Sequence, residues 1–216
     1  MTVPKILGIG KATQDVFLKS ASAFTKFEHK GVVYEQLPVG QKLDLDEVVF
    51  ATGGNVTNAV VTFSRQGLHS RYMWCLGTDV ASEAILQELD REGVDTSAVV
   101  QNSSYRASYS VVLMLDGGER TILNYRGTPI GADSHDLQFE LIKEADWVYL
   151  SSLGNIELLE RIVSEAAAHG VKVMLNPAGA ELKEADKLKG ILQDVEVLTV
   201  NKEEAQQIVS GESLEE

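Results

Sequence analysis

"ATGGNVTNAVVTF", residues 51–63, sets two glycines directly before the first turn of a helix. Helix caps favour Ser, Thr, Asp or Asn, so paired glycines there require a reason. Either Gly53 and Gly54 form a plain loop leading into the helix, or the backbone must come close to something. A helix N-terminus offers unpaired N–H groups and a partial positive charge. Glycine removes the Cβ atoms that would hold a ligand off and permits φ > 0. The stretch would then present backbone N–H groups and the amides of Asn55 and Asn58 to a polar ligand. Spacing alone leaves the two readings level.

Downstream, helices alternate with buried strands. A helix over 55–66 stops at Gly67, a good C-cap residue. Strand "SRYMWCL" (70–76) follows, then a helix over 80–92 with Ile85, Leu86 and Leu89 on one face, ending at Gly93. "ASYSVVLML" (107–115), "DGGE" (116–119) and "RTILNY" (120–125) read as a hairpin. Helix 136–144, strand "DWVYLS" (146–151), helix 156–169 and strand "VKVMLN" (171–176) resume the alternation. Helix 184–192, strand "EVLTV" (196–200) and a helix from Lys202 complete it. Upstream, Ile6–Ile9 forms a short strand, "DVFL" (15–18) its continuation after a break, and "GVVYEQL" (31–37) and "LDLDEVVF" (43–50) candidate strands that pair outside the main sheet. The alternation predicts a mostly parallel sheet covered by helices on both faces. Strands from about 31–50 and 105–125 are left for a small β lid, and residues 1–216 read as a single α/β domain.

A formal charge of −13 argues against a nucleic-acid backbone or an anionic membrane surface as the main partner. Cys75 is the only cysteine, so there is no internal disulfide and no cysteine-based zinc cluster, and its strand pattern predicts an inert core position. No signal peptide or membrane-spanning run is evident, and a cytoplasmic protein is expected. No GxxxxGK[ST] occurs, and "GIGKAT" (8–13) has Thr13 where a dinucleotide fingerprint needs its third glycine.

In open parallel sheets, ligands bind beyond the carboxyl ends of the strands. Asp15 follows the first strand; its carboxylate can accept hydrogen bonds from adjacent sugar hydroxyls, or it is a solvated loop group. Arg126, in "NYRGT", could approach an anionic sugar or pair with a surface carboxylate. Tyr34 and Tyr109 could stack on a sugar or base, or pack within the lid. Asp79 begins a helix and reads as its N-cap.

Together these segments resemble the ribokinase-like, or PfkB, family of carbohydrate and nucleoside kinases, from "ILGIGKATQD" (6–15) to "VNKEEA" (200–205). "GGNVTNAVVTFSRQG" (53–67) and "CLGTDVASEAILQELDREGVDTSAV" (75–99) carry most of the resemblance, with "LNPA" (175–178) and "NKEE" (201–204) as later landmarks. The resemblance implies a Rossmann-type three-layer α/β sandwich with a β lid. It also implies ATP-dependent phosphorylation of a hydroxymethyl group on a sugar or nucleoside. By position Asp15 is similar to the family's hydroxyl-binding aspartate, and Gly53 and Gly54 to the di-glycine where the lid closes over substrate. Asn58 is similar to a substrate-contacting asparagine, and Asn55 holds a position often lysine or asparagine. Asn201 and Glu204 match an Asn-x-x-Glu motif that organises Mg2+ and phosphate through water. Lid strands of the family often pair between subunits, which implies a homodimer through "GVVYEQL" and "ASYSVVLML".

Three departures stand out. Thr13 replaces a frequent Asn, and Ser82 a frequent Gly. The family's Gly-Ala-Gly-Asp motif, which forms the anion hole and supplies the catalytic aspartate, does not occur in these 216 residues. The expectation is therefore a substrate-binding half without the C-terminal part of the fold, inactive as a kinase by itself. The alternative is a non-catalytic polyol or nucleoside binder, or a dimerisation module. On this reading Gly54→Val abolishes substrate binding and leaves the fold largely intact.

Overall fold

A computed structural model of the chain describes residues 2–115 and 117–209; Asp116 of the "DGGE" turn and the "SGESLEE" terminus lie outside them. The chain opens with β1 (Lys5–Ile9) and β2 (Thr13–Lys19), then the hairpin β3 (Thr25–His29) and β4 (Val32–Gln36), then β5 (Glu47–Gly53). Helix α1 (Asn55–Arg65) leads to β6 (His69–Met73) and β7 (Cys75–Leu76), and α2 (Val80–Arg91) leads to β8 (Val100–Gln101). The hairpin β9 (Ser108–Met114) and β10 (Arg120–Tyr125) and a 3₁₀ turn, Phe139–Glu144, come next. Then follow β11 (Trp147–Ser151), α3 (Ile156–Ala168), β12 (Lys172–Asn176), α4 (Gly179–Leu182), α5 (Ala185–Ile191), β13 (Val197–Leu198) and α6 (Lys202–Ile208).

The main sheet is parallel, in the order β13-β12-β11-β1-β6. Its central strand β1 is buried on both faces, as a near-continuous apolar run should be. Gly8 lets α1 lie close on one face: a Cβ there would stand 2.2 Å from Val60 Cγ1. From β1 the chain moves one way to β6, and from β11 it moves the other way to β13. Right-handed crossovers therefore place α1 and α3 on opposite faces. They bury Val56 and Val60 from α1, and Ile156, Leu159 and Ile162 from α3. The strand order reverses between β1 and β11, which is where an open α/β sheet forms its ligand crevice.

A second sheet, β10-β9-β2-β5, forms the lid. "DVFL" therefore does not extend the first strand: β2 leaves the main sheet and pairs with β5 antiparallel and β9 parallel. Nor do "GVVYEQL" and "LDLDEVVF" pair with each other, since β4 pairs with β3 and β5 with β2. Alternation identifies a strand, and its partner is chosen by tertiary contacts. "SRYMWCL" divides at Trp74, with β7 turning to pair with β8. Of the helix expected over 136–144 only the 3₁₀ turn forms, and the one expected over 184–192 is α5, preceded by the short α4. Cys75 is buried, and burial pushes its thiol up to about 11, as an inert core position requires.

Candidate functional site

Register builds the inner face of the lid. Thr13 stands opposite Gly53 and Ser108, Asp15 opposite Ala51 and Ser110, and Asn124 opposite Ser110. Directly opposed residues share a face, so three strands contribute one polar surface around Asp15. Gly53 completes it: a Cβ there would lie 2.0 Å from Asp15 Oδ2. Asp15 is half-buried; burial pushes its carboxyl up from the ordinary value, and the facing Ser110 hydroxyl pulls it back.

Gly54 serves a different need. It caps α1 at φ 107°, a conformation L side chains rarely adopt, without any side-chain cap. A Cβ would lie 2.8 Å from the Lys11 carbonyl oxygen. Thr57 Oγ1 secures the turn by donating to the Gly53 carbonyl at 2.6 Å. Val at Gly54 would therefore strain the fold as well as the site, contrary to the expectation from sequence.

Between the lid and the strand ends lies a cleft of about 230 Å³, below the roughly 300–1,000 Å³ of drug-sized sites and suited to a small polar ligand. Lys11 enters it from just beyond β1, Thr13, Ser108, Asn124 and Arg126 from the lid, and Ser152 and Gly154 from the end of β11. Lys11 Nζ would stand 3.0 Å from a Cβ on Gly154. Burial lowers its pKa most, Arg126 lowers it further and Glu181 partly restores it. Glu181 is itself buried, accepting from Gly154 N at 2.7 Å and Ala178 N at 3.0 Å, so it ties the loops after β11 and β12 together.

A polar chain fixes α1 to the strand ends. Asn55 Nδ2 donates to Asn176 Oδ1 at 2.8 Å and Ser151 Oγ at 3.2 Å, while Asn176 Nδ2 donates to Thr199 O at 2.7 Å. Asn55 thus spends its amide N–H groups on the protein while it lines the cleft.

Of the residues nominated from sequence, the structure brings Gly53, Gly54, Asp15 and Arg126 to the lid and cleft. Asn58 is not among them: it lines a separate open depression with Phe63 and Tyr149. Asn201 and Glu204 stand at the start of α6 as a reciprocal cap, with Glu204 N donating to Asn201 Oδ1 at 2.8 Å and Asn201 N to Glu204 Oε2 at 2.9 Å. Tyr34 stacks on Phe27, and Tyr109 alternates to the lid face away from Asp15. Another depression of about 330 Å³ lies at the amino ends of β1 and β6. There Arg71 is already paired with Asp95 at 2.6 Å and Glu144 at 3.1 Å. Lys11, Ser110 and Glu181 were not singled out from sequence. Lys11 lies just beyond the end of the first strand, but Ser110 and Glu181 are placed by pairing and tertiary contact that no local signal announces.

Residues 25–216 match the pfkB family carbohydrate kinase profile. The chain is 25% identical over 186 residues to the ribokinase of Haemophilus influenzae, covering 82% of this chain and 57% of that protein. It is 29% identical over 129 residues to the aminoimidazole riboside kinase of Salmonella typhimurium, covering 59% and 39%. The Arabidopsis thaliana ribokinase complexed with ribose and ATP superposes with a TM-score of 0.78 at 19% identity, over 99% of this chain and 66% of that one. The chain thus spans little more than half the length of the Haemophilus ribokinase. The profile match begins after β2, so the placement of Lys11 and Asp15 rests on the structure. On this match, with the α/β fold and its lid alongside, the chain belongs to the pfkB family of carbohydrate kinases.

Proposed function

We propose that this chain supplies the substrate-gripping part of an ATP-dependent kinase that phosphorylates a hydroxymethyl group of a sugar or nucleoside in the cytoplasm. The observation that carries the reading is the match between Gly53 and Asp15: the lid gives up a side chain so that a half-buried carboxylate can occupy that face. A carboxylate held there accepts two hydrogen bonds from neighbouring hydroxyls. Thr13, Ser108 and Asn124 add neutral donors and acceptors around the same space. Asp15 is a binding group in this scheme. The base that takes the proton from the attacking hydroxyl is assigned to the family's Gly-Ala-Gly-Asp motif, which these 216 residues do not contain, so the expected readout is binding rather than turnover.

ATP would supply the transferred phosphoryl group and magnesium would neutralise its charge. Glu204 uses one carboxylate oxygen on the cap of α6, and among the described residues the other has no hydrogen-bond partner. That suits a hydrated Mg2+ shared with phosphate, which needs only one or two carboxylates. We also propose a homodimer through the lid, supported by its exposed apolar face.

Titration calorimetry with ribose, fructose and adenosine tests the sugar site. Wild-type chain should bind at least one of them, and Asp15→Asn should weaken that binding roughly tenfold or more, the worth of charge-assisted hydrogen bonds. Absence of heat across the panel would defeat the reading.

A further inference from the structure

We infer that the cleft selects a sugar bearing an anionic group, a carboxylate or phosphate monoester, held by Lys11 and Arg126. This inference rests on the sugar-site reading above and narrows its substrate class.

The chain is strongly acidic, with 32 acidic residues against 19 basic ones. Lys11 and Arg126 nevertheless converge on one cleft, and among the described residues neither takes part in an ion pair. Of the two carboxylates at this end of the molecule, Asp15 stands on the lid face among the hydroxyl partners, and Glu181 has its oxygens engaged by the backbone N–H groups of Gly154 and Ala178. Arg126 is positioned from its own main chain, since its carbonyl accepts from Ser108 Oγ at 2.9 Å while its side chain is left for the cleft.

Like charges brought together in a partly dry cleft oppose each other, and burial penalises the ammonium further. Both effects weigh on Lys11 and lower its pKa. An anion between the two cations removes both penalties, whereas a neutral sugar leaves them in place. The uncapped N-terminus of α1 at Gly54, another lining residue, adds to the same local field. Around these charges Thr13, Ser108, Asn124 and Ser152 provide neutral partners for hydroxyls, so the cleft suits a polyol with one anionic end. Nucleotide phosphate has the same chemistry as a sugar phosphate, so the two sources must be separated by experiment.

Calorimetry near neutral pH on the 216-residue chain should compare fructose and ribose with gluconate and fructose 6-phosphate, and include inorganic phosphate and ATP. The inference expects gluconate or fructose 6-phosphate to bind at least about tenfold more tightly than fructose. It expects Lys11→Met and Arg126→Gln each to weaken the anionic ligand by roughly 10–100-fold, the range of a charged hydrogen bond. Arg126 is exposed, so Arg126→Gln keeps the test open should Lys11→Met not fold. Neutral sugars binding as tightly as the anionic ones would overturn the inference and leave the sugar site standing. So would a Lys11 dependence confined to ATP or inorganic phosphate, which would assign the cations to the nucleotide. No binding by any sugar would defeat this inference and the reading it rests on together.

Discussion

Gly53 and Asp15 are two halves of one local solution, and each predicts what happens when the other changes. An alanine methyl at Gly53 would occupy the place of Asp15 Oδ2, at 2.0 Å, and the flexible carboxylate must rotate away. Gly53→Ala should therefore weaken sugar binding roughly tenfold and move the thermal midpoint by only a few degrees. Gly54→Ala should do the reverse in proportion, because its positive φ costs about 1–3 kcal/mol in any L residue, or ~2–4 °C per kcal/mol for a chain of this size. Calorimetry and thermal melts on the pair separate the two roles. Asp15 itself has a linkage consequence. Its folded pKa is raised, so between the ordinary carboxylate value and the raised one the folded chain keeps a proton that the unfolded chain has lost. The stability contribution of Asp15 is thus lost as pH rises through that window, and at neutral pH its charge costs the unliganded fold. Asp15→Asn should leave the midpoint unchanged or raised at neutral pH, with any gain vanishing in acid below the ordinary value. A marked drop at neutral pH would make the carboxylate structural.

The helix caps differ according to what they face. Asp79 caps α2, accepting from Ser82 N at 3.2 Å, while Ser82 Oγ accepts from Gly77 N at 2.9 Å, so serine at that position adds a tie across the turn. Asn155 caps α3, accepting from Leu158 N at 2.8 Å. Helix α1, which meets the cleft, has no side-chain cap, and its first N–H groups stay available. The cap of α6 has two proposed uses that substitution can separate. Glu204→Ala removes the reciprocal bond and should cost about 1 kcal/mol, read as ~2–4 °C in the melt. Glu204→Gln keeps an acceptor oxygen for the Asn201 N–H and should hold the midpoint. Any stabilisation by ATP with magnesium chloride should be lost in both; if Glu204→Gln retains it, Glu204 is a cap alone. Helix ends were readable because Gly67, Gly93 and Gly170 are local stop signals, each just beyond a helix the structure contains. Strand partners were not readable. Alternation in "DVFL" and "GVVYEQL" identifies strands, but pairing of β2 with β9 and of β3 with β4 depends on contacts outside any window. The site divides likewise. Asp15, the glycines and Arg126 carry local motifs or strand-end positions, whereas Ser110 reaches Asp15 only through the β2–β9 register and Glu181 reaches Gly154 only through folding.

At the scale of the whole molecule, the lid turns the polar surface around Asp15 toward the cleft and carries large exposed apolar side chains on its other face. Phe50, Leu123 and Tyr125 stand on that second face by register, opposite Val16, Val111 and Tyr109, and are 68%, 57% and 55% exposed. Large exposed apolar side chains of this kind mark interaction sites more often than monomer surface. The proposed partner is a second copy, because two such lids could pack face to face about 10 Å apart and bury the same residues symmetrically. Dimerisation would also bear on the cleft, since the strands that carry Phe50 and Tyr125 lead directly into Gly54 and Arg126, which line it. Light scattering during size-exclusion chromatography should give twice the 23.5 kDa chain mass. Phe50→Lys, which forces a charge into the contact, should return the chain to its single mass with the midpoint lowered by no more than a few degrees, because the side chain is largely exposed. If the lid is ordered by its partner, the same variant should also bind sugar several-fold more weakly, although Phe50 lies on the face away from the site. A wild-type chain that runs at its single mass at high concentration would remove the dimer and this coupling, and leave the cleft to be judged on its own ligands.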